Sequence, residues 1–417
     1  MALFSLVLLV LAILIAFFKK MNAGLIAIAF ALVLGHMAGF SDKEIINGFS
    51  YNLFLTLMGV TYLFSLAQSN GTLKLIAVKT IALAGKRTYL VPIYIFIFST
   101  VLSAIGPGTI PTMAIMMVFA MTLAAELNIN PAMLAGIVVL GASGGGVSPI
   151  APTGIIGQNL CASAGINEPV GMAFLINGVA STFLYSLVIY FALGGHKIES
   201  AESAVLSTGE KLNRNQTITL VGIILMVIMV MLLKINVGLT SFLVAGILSS
   251  LGVADENTAL KNIPWGTLIL VGGVSVLINL IVKLGGITML SKAMASIMTP
   301  ATAPSIMGLS AGILSWVSST SGVVMPTFIP TIPGVVEAMQ GKVNPVELAT
   351  GLSMIAHTAG ISPMSTGGGL AIAAYTSVAH SSPEEQQKIF LHIFLVSACG
   401  LVFLSAMAYI GLFRWFI

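Results

Sequence analysis

Charge is what this sequence has least of. Of its 417 residues only 7% are Asp, Glu, Lys or Arg, 17 of them basic and 13 acidic. Soluble domains carry about 25%. So few charges cannot cover a water-facing surface of this size. That excludes a cytosolic enzyme, a nucleic-acid binder and a disordered scaffold. Aspartate is almost missing, with Asp42 and Asp255 the two present, both in loop-like segments. No carboxylate pair suited to intramembrane proteolysis and no HExxH zinc motif occurs. The chain therefore reads as no enzyme. Cysteine is scarce too. Cys161 and Cys399 lie in apolar surroundings with no cysteine or histidine at metal-ligand spacing. They read as inert small hydrophobes rather than as a disulfide.

What is present is apolar: 57% of the residues are hydrophobic. Runs long enough to cross a bilayer, about 17–25 residues each, fall near 3–18, 22–40, 49–69, 132–164, 170–193, 216–234, 236–253, 264–283, 345–380 and 390–413. The first run has no basic residue before it and is followed by Lys19 and Lys20. A secretory signal has its positive charges first, so an uncleaved first span is expected. Lys74 and Lys79 interrupt 72–85, and Lys292 interrupts 286–298. Both stretches suit amphipathic helices at the membrane interface. Residues 88–127 and 304–340 are too long for one span and have Gly/Pro/Ser/Thr-rich middles. Each reads as a re-entrant helical hairpin. The long polar stretch 194–215 reads as a cytoplasmic linker.

The two halves match. Asn130-Pro131 recurs as Asn344-Pro345, and Gly146-Val147-Ser148-Pro149 as Gly360-Ile361-Ser362-Pro363, both at an offset of 214. Asn70-Gly71 corresponds to Leu284-Gly285 at the same offset, and Pro111-Thr112 to Pro326-Thr327 at 215. The expected fold is an all-α polytopic membrane protein of two repeats, 1–193 and 216–417. Each repeat has a re-entrant hairpin, a broken transmembrane helix and five crossings. An odd number of crossings inverts the second repeat. Inverted repeats with broken helices mark secondary transporters, with the substrate site near the midplane.

Orientation follows from basic residues. One side receives Lys19, Lys20, Lys74, Lys79, Lys86, Arg87, Lys197, Lys211, Arg214, Lys261 and Lys388. The other receives Lys43, Lys234, Lys283, Lys292, Lys342 and Arg414. The richer side is cytoplasmic, so both termini face outward across the inner (plasma) membrane.

Four segments rich in glycine and hydroxyls interrupt the apolar runs: 103–112, 141–154, 318–327 and 357–369. Non-helical backbone at membrane depth persists only where protein or a watery cavity satisfies it. Freed carbonyls suit a cation, and restarting helix N-termini attract an anion. No acid stands in mid-span for a proton relay, which tilts coupling toward Na+ held by carbonyls and hydroxyls. His357 is the one titratable group within these segments, and proton coupling through it is the rival reading. His36 and Glu126 read as interfacial and solvated. Trp265, Trp316 and Trp415 read mainly as interfacial anchors, and the 22 methionines as lipid-facing or packing filler.

Segments 22–50, 53–87, 102–112 (LSAIGPGTIPT) and 139–166 (VLGASGGGVSPIAPTGIIGQNLCASAGI) together resemble the MatC-type dicarboxylate carriers. Through its hairpins and inverted repeat the chain also resembles the wider ion transporter superfamily. That group includes the divalent anion/sodium symporters and the large membrane subunits of TRAP transporters. The resemblance implies a homodimer, a scaffold part and a mobile part that moves as an elevator, and a carboxylate held between hairpin tips and broken helices. The Ser-Asn-Thr tip motif of the divalent anion symporters is replaced here by Ser103-Ala104-Ile105-Gly106-Pro107-Gly108-Thr109 and Ser318-Ser319-Thr320-Ser321-Gly322.

The expected function is secondary active transport of a small di- or tricarboxylate, a C3–C4 dicarboxylate foremost, with Na+ as coupling ion. The expected substrate residues are Thr109, Pro111, Thr112, Pro152, Thr153, Ser319, Thr320, Pro326, Thr327, Ser365 and Thr366. The expected Na+ residues are Ser103, Gly106, Gly108, Ser143, Gly146, Ser148, Ser318, Ser321, Gly322, His357, Gly360 and Ser362. The alternatives are a membrane subunit of a binding-protein-dependent carboxylate transporter, a proton-coupled carrier and an anion channel.

Overall fold

The computed structural model describes residues 1–82, 87–199, 211–379, 383–415 and 417. Lys86 and most of the expected linker, 200–210, lie outside the described residues. The described residues are 80% helical, with no strand among them.

The first half runs α1 (Ala2–Lys19), α2 (Ala23–Met37), α3 (Asp42–Ile46), α4 (Tyr51–Ser69), α5 (Thr72–Ala82), α6 (Val91–Ala104), α7 (Thr109–Glu126), α8 (Pro131–Gly146), α9 (Pro152–Ser163) and α10 (Val170–Ala192). The second half runs α11 (Arg214–Leu233), α12 (Val237–Ser250), α13 (Glu256–Asn262), α14 (Trp265–Lys283), α15 (Gly286–Ala295), α16 (Ala303–Val317), α17 (Met325–Phe328), α18 (Ile332–Ala338), α19 (Pro345–Thr358), α20 (Thr366–Ala379) and α21 (Pro383–Tyr409). The second list repeats the first, except that α17 and α18 together stand where α7 does. Helix ends repeat as well. Asn22 and Asn236, 214 positions apart, cap α2 and α12 through side chains that accept from the first-turn N–H groups. Asn130 and Asn344 do the same for α8 and α19, each followed by Pro at the first helical position. Lys20 and Lys234 end α1 and α11 in the left-handed conformation, with φ of 53° and 52°.

Among the described residues, four helices are long and apolar enough to cross a membrane by themselves: Thr109–Glu126, Val170–Ala192, Trp265–Lys283 and Glu384–Tyr409. Seven shorter apolar helices accompany them. The second arm of the first expected hairpin, α7, is thus of full span length. Its second-half counterpart is fragmented. After α16, Ser318 is extended, a wide turn covers Thr320–Val324, and α17, a tight turn Ile329–Thr331 and α18 follow. Pro326, Pro330 and Pro333 each remove an N–H that a continuous helix would use.

The helices form two groups. In one, α2 packs along α14 and α4 along α12. In the other, α6 packs on α8, α16 on α19, α7 on α20, and α10 and α21 close the sides. The glycines of 141–146 do not break α8. They stay helical and let α6 approach. A Cβ on Gly145 would stand 2.0 Å from the Thr100 carbonyl oxygen, and one on Gly141 2.7 Å from that of Phe96. This is the small-residue packing of membrane helices. The break itself is confined to residues 147–151, and in the second half to 359–365.

Candidate functional site

The two hairpin tips and the two breaks meet. At the first pair the contact is reciprocal. Ser103 Oγ on the tip donates to the Ala142 carbonyl at 2.6 Å, and Ser148 Oγ in the break donates to the Ala104 carbonyl at 2.5 Å. At the second pair Thr320 Oγ1 faces the carbonyl of Ala356, 214 positions after Ala142, at 3.4 Å. Ser148 and Ser362 each accept from the N–H two residues on, Ile150 and Met364. Gly106 and Gly108 bend the first tip with φ of 139° and 79°. Such φ values favour glycine. The Phe64 ring lies where a Gly106 Cβ would be, and Leu270 lies likewise against Gly322. So α4 and α14 each press a side chain on one tip.

Between these elements lies a cavity of about 290 Å³. Of the expected substrate residues it is lined by Thr109, Pro111, Pro152, Thr153, Ser319, Thr320, Ser365 and Thr366. Thr112, Pro326 and Thr327 are not on its wall. Thr112 is fully buried, and Thr327 Oγ1 turns back to the Val323 carbonyl at 2.7 Å. Of the expected Na+ residues the wall includes Ser143, Ser318, Ser321, His357 and Gly360. Ser103, Gly106, Gly108, Gly146, Ser148, Gly322 and Ser362 sit behind it, where the tips meet the breaks.

Four helices start at this wall: α7 at Thr109, α9 at Pro152, α14 after Pro264 and α20 at Thr366. Each N-terminus carries about half a positive charge and unpaired N–H groups. Among the described residues no Asp, Glu, Lys or Arg lines the cavity, and His357 is the titratable group there. Thr109 Oγ1 is buried without a hydrogen-bond partner among the described residues. It lies against Gly146, beside Ser103 Oγ: a Cβ on Gly146 would stand 2.2 Å from the first oxygen and 3.0 Å from the second. The site can therefore hold an anion by dipoles and hydroxyls, with an oxygen-only niche beside it.

Several wall residues carried no mark in the sequence. Leu57 and Thr61 come from α4, and Thr267 and Leu268 from α14. Periodicity shows them only as parts of apolar helices. Trp316 has a further role that its place in the sequence did not show. It is half-buried, lines the cavity, and donates from Nε1 to Ser397 Oγ on α21 at 3.0 Å. Glu347, in the first turn of α19, is fully buried and holds the Arg414 Nε at 2.8 Å from each carboxylate oxygen. Its partner lies 67 residues on, beyond any local pattern.

The fold, with its long apolar helices, suits a polytopic membrane protein. Residues 1–146 match the family described as dicarboxylate carrier protein MatC N-terminus. The resemblance read from the sequence is borne out over that stretch. The fold is similar to that of the Alcanivorax borkumensis YdaH transporter, whose crystal structure has an unusual topology. The TM-score is 0.62 at 11% identity, over 93% of this chain and 96% of that one. It is also similar to Neisseria gonorrhoeae MtrF, described within a class of antimetabolite efflux pumps. There the TM-score is 0.56 at 14% identity, over 88% of this chain and 82% of that one. No curated protein matches in sequence. The family and both neighbours are transport proteins, in agreement with the expectation of no enzyme.

Proposed function

We propose that the chain is a Na+-coupled secondary transporter of small di- or tricarboxylates, C3–C4 dicarboxylates foremost. The observation that carries this reading is the convergence of four helix N-termini and a set of hydroxyls on one cavity that no Asp, Glu, Lys or Arg among the described residues lines. A carboxylate accepts hydrogen bonds and is stabilised at such N-termini. Thr153, Thr320 and Thr366 donate to it, together with first-turn N–H groups. The match of residues 1–146 to a dicarboxylate carrier family supports the substrate class.

For Na+, the donor set fits a hard cation. Ser103, Ser148 and Thr109 supply hydroxyl oxygens beside helix-end carbonyls, and the unpartnered Thr109 Oγ1 is the best indicator. The repeat partners Gly360 and Ser362 would serve a second ion. Bound there, Na+ would offset the substrate's charge and tie each tip to its break.

The cycle is an elevator movement in a homodimer. The cavity lies between the α2–α4/α12–α14 group, which would be the scaffold, and the α6–α10/α16–α21 group, which would move with the substrate. The repeats are inverted, giving ten crossings, outward termini and a cytoplasmic linker in the inner membrane. A thermal-shift panel on the purified chain tests substrate and ion together. Dicarboxylates should raise the melting temperature in Na+ and not in K+ or choline. A rise with sulfate or amino acids alone would sink the substrate class. Native mass spectrometry in lipid showing only monomers would remove the homodimer.

A further inference from the structure

His357 has a fixed tautomer. Its Nδ1 lies 2.6 Å from the Ser353 carbonyl oxygen. A carbonyl only accepts, so Nδ1 carries the hydrogen and, in the neutral ring, Nε2 is bare. Nε2 makes no hydrogen bond among the described residues. The residue is 6% exposed and lines the cavity.

The rest of the polar wall is different in kind. Ser143, Thr109, Thr153, Ser319 and Thr320 are hydroxyls, which turn to donate to a carboxylate as readily as they accept. A bare ring nitrogen donates nothing. Facing a carboxylate oxygen, it sets lone pair against lone pair. The repeat partner of His357, 214 positions back, is Ser143. Both line the cavity, so its two related sides present a donor on one and an obligate acceptor on the other.

We propose that His357 is a specificity-determining residue that accepts, through Nε2, a hydrogen bond from an O–H group of the bound acid. This rests on the reading that the cavity holds a small carboxylate. The O–H has two possible sources: a hydroxyl next to a carboxylate, or a carboxyl that has kept its proton. A site built around a hydrogen bond to an O–H discriminates against the analogue lacking it, because its own buried partner is left unpaired.

The test is calorimetric binding to the full chain in lipid nanodiscs with saturating Na+. Malate and succinate differ by one hydroxyl and are compared where both are fully ionised. Succinate is then measured at a pH where it retains one proton. Wild type is expected to favour malate about tenfold if the hydroxyl is the source. It is expected to favour half-protonated succinate by a similar factor if the carboxyl is. His357→Phe should bind the compared forms within about twofold of each other. Because that variant can misfold, 15N-histidine NMR of the wild type supplies a second readout. A bare Nε2 resonance should be present without ligand and should move when the preferred acid binds. Equal wild-type affinities, a preference retained in His357→Phe, or a protonated Nε2 in the free protein would each overturn the proposal. Failure of either acid to bind wild type at all would sink the carboxylate reading and this inference with it. Tight but indifferent binding would sink the inference alone.

Discussion

Gly24 and Gly273 meet backbone to backbone. A Cβ on Gly273 would stand 2.2 Å from the Gly24 carbonyl oxygen, and one on Gly24 2.3 Å from that of Ile269. The same contact recurs between Gly59 and Gly238, where a Gly59 Cβ would stand 2.3 Å from the Gly238 oxygen. Adding 214 to 24 gives 238, and adding it to 59 gives 273. Each half thus lends α2 or its counterpart α12 to the other half's α14 or α4. The close approach needs glycine on the facing helices.

These glycines make the first prediction. Gly59→Ala and Gly273→Ala should each destabilise the protein by about 1–3 kcal/mol, the usual cost of overpacking against atoms that cannot give way. Gly246→Ala, in helix α12 with nothing near its added Cβ, should be neutral or stabilising by up to about 1 kcal/mol. Thermal unfolding in detergent compares the three. Equal melting temperatures for all would disprove the close contact.

The tip-to-break straps make the second. Ser103→Ala and Ser148→Ala each remove one of two reciprocal hydrogen bonds, with a net loss on the order of 1 kcal/mol. In proteoliposomes each should raise the Na+ concentration needed for half-maximal uptake about fivefold. Ser362→Ala should do so at the second pair. Uptake in K+ or choline should be abolished in wild type. Persistent uptake driven by an imposed pH gradient, lost in His357→Gln, would replace Na+ with a proton.

Glu347 and Arg414 make the third. Arg414→Ala leaves a buried carboxylate without its partner, which typically costs about 3–5 kcal/mol when both charges are buried. Because the Arg414 side chain is 52% exposed, a loss of about 2–3 kcal/mol is expected here. The position 214 before Glu347 holds Met133, which is also buried. Glu347→Met in the Arg414→Ala background should therefore recover most of the loss. A double variant no more stable than Arg414→Ala would show that the pair does not act as one unit.

Topology makes the fourth. In a background with Cys161 and Cys399 replaced, single cysteines at Ser203 and at Ile417 should react with membrane-impermeant maleimide from opposite faces. Reaction from the same face would remove both the outward termini and the inverted repeat.

Local chemistry made part of this protein legible from its sequence alone. The scarcity of charge required a membrane. The pairs Asn130-Pro131 and Asn344-Pro345 marked two helix starts, because an asparagine side chain and a proline ring act on the residues next to them. The hydroxyl-rich segments marked the tips and breaks, since Pro removes a helical N–H and Gly permits a turn. Tertiary structure decided the rest. Gly141 and Gly145 read as helix breakers, yet they remain helical because α6 fills the space their missing side chains leave. Trp316 lines the cavity and donates to Ser397, 81 residues on, which its own segment does not show. Leu57 and Leu268 became cavity wall only because α4 and α14 lie against the tips. Glu347 found its cation 67 residues away. Each of these depends on which distant surface arrives at a side chain, and periodicity along one helix carries no record of that.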